Sequence, residues 1–250
     1  MSDDSIGDRM KRYEAATRSV VPYRQPTIVR VDGKAFHSYT RGLERPFCAR
    51  FADCMDSVAM AMCAQMQNAA LAYVQSDEIS VIMNPAKGYQ TQAWFDGEVQ
   101  KTVSVSASIA AAVMTGLSEH IFGKTRPAFF DSRVFVVPDA MEVSNYFLWR
   151  QQDATRNSIQ MLARSLYSHT QCDKRNVSQL QEMCFAKGSN WNDLPTRWKR
   201  GRCVRREVFD LEPGVMRSRW AVDNEIPIFS QAREYITDLL RADDAEEPRP

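Results

Sequence analysis

Tyr73-Val74-Gln75-Ser76-Asp77-Glu78-Ile79-Ser80-Val81-Ile82-Met83 sets two adjacent carboxylates inside an apolar, β-prone run. A fold tolerates acids there in a tight turn between strands, or where a cation offsets the desolvation of a buried carboxylate. Leu71 to Gln75 and Ile79 to Met83 therefore read as an antiparallel hairpin across Ser76, Asp77 and Glu78. A shorter version of the pattern comes earlier, where Thr27-Ile28-Val29-Arg30-Val31 runs into Asp32-Gly33. Strand alternation puts Val29 and Val31 on one face, and Ile28, Arg30 and Asp32 on the other. A strand-end aspartate beside an Asp-Glu turn makes an oxygen pocket, the donor type that Mg2+ takes when it also holds nucleotide phosphates. The same residues also serve as ordinary turn formers, so spacing alone leaves both readings open.

Working outward, residues 9 to 25 read as an amphipathic lead-in helix that stops near Val20 to Pro22. Lys34, Ala35, Phe36 and His37 open a turn after the first strand. From Pro46 to about Asn68, the residues Phe47, Phe51, Cys54, Val58 and Met62 mark a packing helix with Pro46 in its first turn. Residues 86 to 97 are turn-rich, and Glu98 to Thr115 is a small-residue helix near whose start stands Lys101. Phe129 to Pro138 is another strand. The order β, α, β, β, α, β predicts an α+β fold, a ferredoxin-like (βαββαβ) polymerase-palm domain over residues 1–138 with both helices on one sheet face and the other face open to substrate.

Beyond Pro138 the pattern becomes largely helical through residues 139–242. Asp139 is the expected N-cap of a helix striped by Val143, Phe147, Ala154, Ile159, Leu162 and Leu166, with Arg150, Asp153, Arg156 and Asn157 off that stripe on its solvated face. Residues 170 to 206 read as weaker helices and loops. They end in Arg197-Trp198-Lys199-Arg200-Gly201-Arg202-Cys203-Val204-Arg205-Arg206, six bases in ten residues. Such a run suits phosphate backbones, and Trp191 and Trp198 either stack on bases or anchor the loop. Residues 243–250 read as a disordered tail.

Formal net charge is +1, but both ends are acidic. Without residues 1–8 and 243–250 the body carries 31 Lys and Arg against 24 Asp and Glu, a balance that fits a polyanion partner. The six cysteines lack zinc-ligand spacing and read as reduced packing residues. His37, His120 and His169 are scattered, which suggests neither a histidine metal site nor a serine-histidine relay. No uninterrupted apolar segment reaches membrane-spanning length and the first residues lack signal-peptide character, so a cytoplasmic protein with no membrane partner is expected.

In this order, several blocks resemble the tRNA(His) guanylyltransferase family and its bacterial and phage-type relatives, 3′-to-5′ polymerases. They are Val29 to Gly33 with Phe36, Tyr73 to Ser80, Asp131-Ser132-Arg133, Tyr146 to Asp153 with Arg156-Asn157-Ser158, and Phe185 to Gly188 through Asn192-Asp193-Leu194-Pro195 to Gly201. The resemblance implies two Mg2+ ions held by Asp32, Asp77 and the Gly33 carbonyl, with Asp32, Asp77 and Glu78 as catalytic residues. It implies GTP and ATP as substrates, contacted by Lys34, Ala35, Phe36, His37, Ser76 and Lys101. It further implies tRNA as partner, contacted by Arg150, Arg156, Asn157, Arg197, Lys199, Arg200 and Arg202, and a homo-oligomer, a tetramer. The implied reaction adds G, or templated nucleotides, to the tRNA 5′ end in tRNA modification or repair. Two positions depart from the family: Thr155 stands where relatives have His, and Leu180-Gln181-Glu182 where they have Lys-Asn-Glu. Both departures put activation of a 5′-monophosphate in question more than transfer, and predict a preference for RNA that already carries a 5′-triphosphate. A palm-type nucleotide cyclase and a catalytically silent RNA-binding relative are the alternatives.

Overall fold

The computed structural model describes residues 5–84, 92–212 and 215–241. Helix α1 (Ile6–Ala15) precedes β1 (Thr27–Gly33), α2 (Phe36–Tyr39), α3 (Ala49–Gln65), β2 (Ala69–Gln75), β3 (Glu78–Met83), a 3-10 turn (Trp94–Gly97), α4 (Val99–Phe122) and β4 (Phe130–Val136). There follow α5 (Ala140–Leu166), α6 (His169–Cys172), α7 (Val177–Ala186), a 3-10 turn (Trp191–Asp193), α8 (Thr196–Arg200), β5 (Arg202–Glu212), β6 (Val215–Asp223) and α9 (Glu234–Arg241). The strands form one antiparallel sheet in the order β4-β1-β3-β2-β5-β6.

Alternation along the strands builds two cores. Val29, Val31, Ala72, Val74, Ile79 and Val81 face one way and bury against Met55, Val58 and Met62 of α3 and Ile109, Ala110 and Met114 of α4. Ile28, Leu71, Tyr73 and Ile82 face the other way, against Val143, Phe147 and Ala154 of α5 and against Ile226, Phe229 and Ile236. The second face is thus covered over much of its area and not open as expected. The long amphipathic α5 and the returning C-terminal segment bring enough apolar surface to close it.

The region after residue 138 is also less helical than expected. Strand β5 adds to the sheet by pairing Arg202–Arg205 with β2, and β6 follows as the edge. Gly201 makes this turn possible: its φ is +81°, and a Cβ there would lie 2.7 Å from the Val74 carbonyl oxygen. Helix α1 stops at Ala15, short of Val20, which instead bridges to Glu98. Pro46 lies before α3, whose N-cap is Cys48. Helix α4 runs on to Phe122, where Gly123 ends it in the left-handed conformation, and it is long and apolar enough by composition to cross a membrane. That departs from the reading that no segment qualifies, yet Ile109, Ala110 and Met114 of α4 are buried in the core under the sheet. The expected turns at 86–97 fall partly, and the tail at 243–250 wholly, outside the described residues. All six cysteines are free and buried.

Arg202, 2% exposed, holds the new strand to α3 by donating to the buried Asp56 carboxylate and, over 2.9 Å, to the Ala52 carbonyl. Removing one member of a buried pair strands the other's charge, at about 3–5 kcal/mol. Arg202→Ala is therefore expected to lower stability by about that amount in urea titration, and the double variant Arg202→Met with Asp56→Leu to recover much of it.

Candidate active site

The acids meet at one end of the sheet. Asp32 is the register partner of Glu78 on β3 and of Asp131 on β4, so three neighbouring strands carry a row of carboxylates. Asp77 stands in the two-residue turn between β2 and β3, with Ser76 at φ 47°. The Gly33 N–H donates to the Asp77 carbonyl over 3.2 Å. A Cβ on Gly33 would lie 2.8 Å from Asp77 Oδ2 and 2.4 Å from the Phe36 ring, so only glycine lets this carboxylate approach the end of β1.

Burial, opposed by the Ser76 hydroxyl and reinforced by Asp32, pushes the Asp77 carboxyl up to about 6. Burial, with Glu78 and Asp131 beside it, also raises Asp32, against the pull of Arg30 and Arg133. Both groups are held where their charges lack a full counterpart in the chain. Among the described residues no three Asp, Glu, His or Cys side chains gather to cage an ion. Two carboxylates and a backbone carbonyl instead suit Mg2+, which keeps positions for water and substrate phosphate. The oxygen-only donor set, the raised carboxyls and the cradle at Gly33 fit that ion.

Glu78 does something else. It is 8% exposed and accepts two hydrogen bonds from Arg150, Nε to Oε1 at 2.7 Å and Nη2 to Oε2 at 2.8 Å. Gln75 Nε2 donates to it at 3.1 Å and Arg30 lies 3.9 Å away. The expected catalytic Glu78 thus stands on β3 directly after Asp77 with its oxygens engaged by protein donors. Arg150 leaves the expected solvated, RNA-contacting set, being 6% exposed and bound also to Asp153 at 2.8 Å. Asp153 collects Arg156 and, at 3.3 Å, Asn157. Although burial works the other way, the Arg156 and Arg150 guanidiniums hold its carboxyl below the usual range.

The remaining expected residues divide. Ser76 borders Asp77, and Lys34 to His37 follow directly from Gly33. Ala35 is left-handed at φ 56°, Phe36 turns inward onto Tyr39 and Phe130, and the N–H groups of Ala35, Phe36 and His37 have no backbone partner among the described residues. Lys101 is not brought to the acids: it begins α4, ion-paired to Glu98 at 3.5 Å, beside Gly97, which lines a cavity with Thr27 and Met83 at the sheet's other end. In the basic run Arg197 binds Asp53 and Asp56, Lys199 donates to the Asn192 carbonyl, and Arg202 is buried as described. Trp198 stacks on Phe47 with centroids 5.0 Å apart, and Trp191 donates to Ser158, so the tryptophans anchor the loop. Sequence reasoning missed Asp131 as neighbour of Asp32, and Tyr146, whose hydroxyl meets Ser80 at 2.8 Å.

Comparison with known proteins decides the family. Residues 7–138 match the family model described as Thg1, tRNAHis guanylyltransferase. The chain belongs to the Thg1 tRNAHis guanylyltransferase family. It is similar to a bacterial Thg1-like protein solved in complex with ATP, with 42% identity and a TM-score of 0.87, covering 95% of this chain and 99% of the other. The same title with GTP gives 42% identity and a TM-score of 0.83 at the same coverage. Among curated Thg1-family relatives, the tRNA(His) guanylyltransferase of Schizosaccharomyces pombe is 27% identical over 218 residues, covering 81% of each chain. Uncharacterized protein R259 of Acanthamoeba polyphaga mimivirus is 25% identical over 264 residues, covering 96% of this chain and 89% of the other.

Proposed function

We propose that this chain is a Mg2+-dependent nucleotidyltransferase that adds G, or templated nucleotides, from GTP to the 5′ end of tRNA, in tRNA modification or 5′-end repair. The observation that carries the reading is the meeting of Asp32 and Asp77 at Gly33, with both carboxyls raised, in a fold that matches nucleotide complexes of a Thg1-like protein. The strand order of the first four strands, β4-β1-β3-β2, supports a ferredoxin-like palm.

Asp32, Asp77 and the Gly33 carbonyl would hold two Mg2+ ions. When bound, the metal stabilises charge on phosphate oxygens and lowers the pKa of an attacking hydroxyl. Arg150 fixes Glu78, which keeps Asp77 and Asp32 in register. The unpartnered amides from Ala35 to His37 present donors to nucleotide phosphates. Of the expected RNA contacts, Arg156, Asn157, Arg197, Lys199 and Arg200 stay in the proposal. Residues 1–138 supply the chemistry and 139–242 the RNA and nucleotide contacts, with β5 and β6 tying the two together. Exposed Val208, Leu211, Val215 and Met216 on the β5-β6 ribbon support association with further copies; the tetramer and the cytoplasmic location in this proposal rest on the family reading.

Leu180 is 3% exposed and packs with Ile159, Leu162 and Cys184, so this family departure serves the core and offers no charge to a phosphate. With Thr155 replacing a ring donor, RNA carrying a 5′-triphosphate is the preferred substrate. Labelled GTP is expected to enter a tRNA transcript lacking its 5′ nucleotide only with Mg2+, and faster on triphosphate than on monophosphate ends. Equal rates would discard the preference. Label in a cyclic product would point to a cyclase, and tRNA binding without label to a silent relative.

A further inference from the structure

The basic residues of the second half are not all held alike. Arg150, Arg156, Arg197 and Arg202 each bind a carboxylate, and Arg206 bonds to Ser218 and lies over Trp220. Arg164, Lys174 and Arg175 have exposed side chains with no hydrogen-bond, ion-pair or ring partner among the described residues. They come from the last turns of α5 and the link between α6 and α7, yet they line one cavity of about 170 Å³ over the buried Leu180. That volume is several times the ~30 Å³ share of a water molecule in the liquid. His169 adds a ring donor, and Asp173 is the single carboxylate in the lining against three cations. Three cations gathered beside one carboxylate leave an excess of like charge that repels itself, and an anion in the cavity turns that cost into attraction.

We infer that this pocket is a phosphate site for the backbone of the RNA substrate, an inference that rests on the tRNA reading above. Its position argues for RNA over a free nucleotide. Arg164 is fourteen residues beyond Arg150 on α5, about 21 Å along the helix at ~1.5 Å per residue. A ligand in the pocket is therefore separate from the acid centre, whereas a single RNA strand, with a phosphate at every nucleotide, reaches both. The three cations make the pocket an anchor that is blind to sequence.

The test is a triple variant, Arg164→Gln, Lys174→Gln and Arg175→Gln, in the full chain, with circular dichroism and thermal melting to confirm folding. Affinity for a tRNA transcript is measured by filter binding between 50 and 200 mM salt, with inorganic triphosphate as a second ligand. Loss of two to three phosphate contacts is expected to weaken tRNA binding about 10- to 100-fold at 0.1 M salt and to flatten the log–log salt slope by about 1.4–2.7. GTP transfer at saturating tRNA is expected to be unchanged. An unaltered tRNA affinity and slope would overturn the pocket whatever the activity. So would loss of triphosphate binding alone, which would make it a site for small anions. A wild-type chain that transfers no GMP, but whose tRNA affinity the triple variant lowers, would remove the proposed activity and leave the pocket standing.

Discussion

Asp77→Asn is expected to lower GTP transfer to tRNA by about 10³-fold, ~4 kcal/mol, in a single-turnover assay with Mg2+. The substitution keeps the size of the side chain and its place in the turn, and removes one of the two charges offered to the metal. Its effect on stability runs the other way. In the folded chain without metal Asp77 keeps its proton up to about pH 6, whereas in the unfolded chain it ionises near 3.8. Between those values the unfolded state binds fewer protons, so stability falls as pH rises and the loss is complete above pH 6. In EDTA, Asp77→Asn is thus expected to melt above the wild type at pH 7 and to converge with it near pH 4. A variant that melts lower than wild type at pH 7 would show that the turn needs the carboxylate itself.

Arg150→Ala carries the second large effect. It leaves Glu78, 8% exposed in the intact chain, with only the Gln75 donor at 3.1 Å and an Arg30 contact of 3.9 Å. Breaking such a pair is expected to cost about 3–5 kcal/mol in urea unfolding. Activity should suffer beyond stability, because Glu78 follows Asp77 in the chain and faces Asp32 across the ladder. A misplacement near 1 Å at the reacting groups is worth about 10²-fold in kcat/KM. Arg150→Lys keeps the charge but loses the two-pronged geometry, and is expected to fall between the two. Wild-type kcat/KM in a folded Arg150→Ala chain would show that the clamp does not position the site.

What could be read in advance follows from the range of each interaction. Asp32-Gly33 and the turn at Asp77 are local patterns, set by strand alternation and by two residues between paired strands. The apolar stripe of α5 and its Asp139 cap are local too, and the cap is made as expected, with the carboxylate accepting from the Glu142 N–H at 2.9 Å. Arg150 and Arg202 show where that reasoning stops. Each looks like a surface base among other bases, and each is buried by an acid 72 or 146 positions away. A trace of the second partner was present, since Asp56 sits among Cys54, Met55 and Val58 on a packing helix and needs a cation there. The strand at 202–212 was hidden for the same reason: three arginines, two glutamates and an aspartate mask its alternation, while its burial at Cys203 and Val204 is supplied by β2.

The pairing of β2 with β5 also sets a schedule for synthesis. The edge of β2 is complete once Gln75 has been made, but its partner ends at Arg205, 130 residues later. At ~5–20 residues per second a ribosome leaves that edge bare for on the order of ten seconds. An uncovered strand with Leu71, Ala72, Tyr73 and Val74 invites pairing with other nascent chains. Translation that terminates before Cys203 is therefore expected to leave fragments prone to edge pairing, an exposure that lasts into the final third of synthesis.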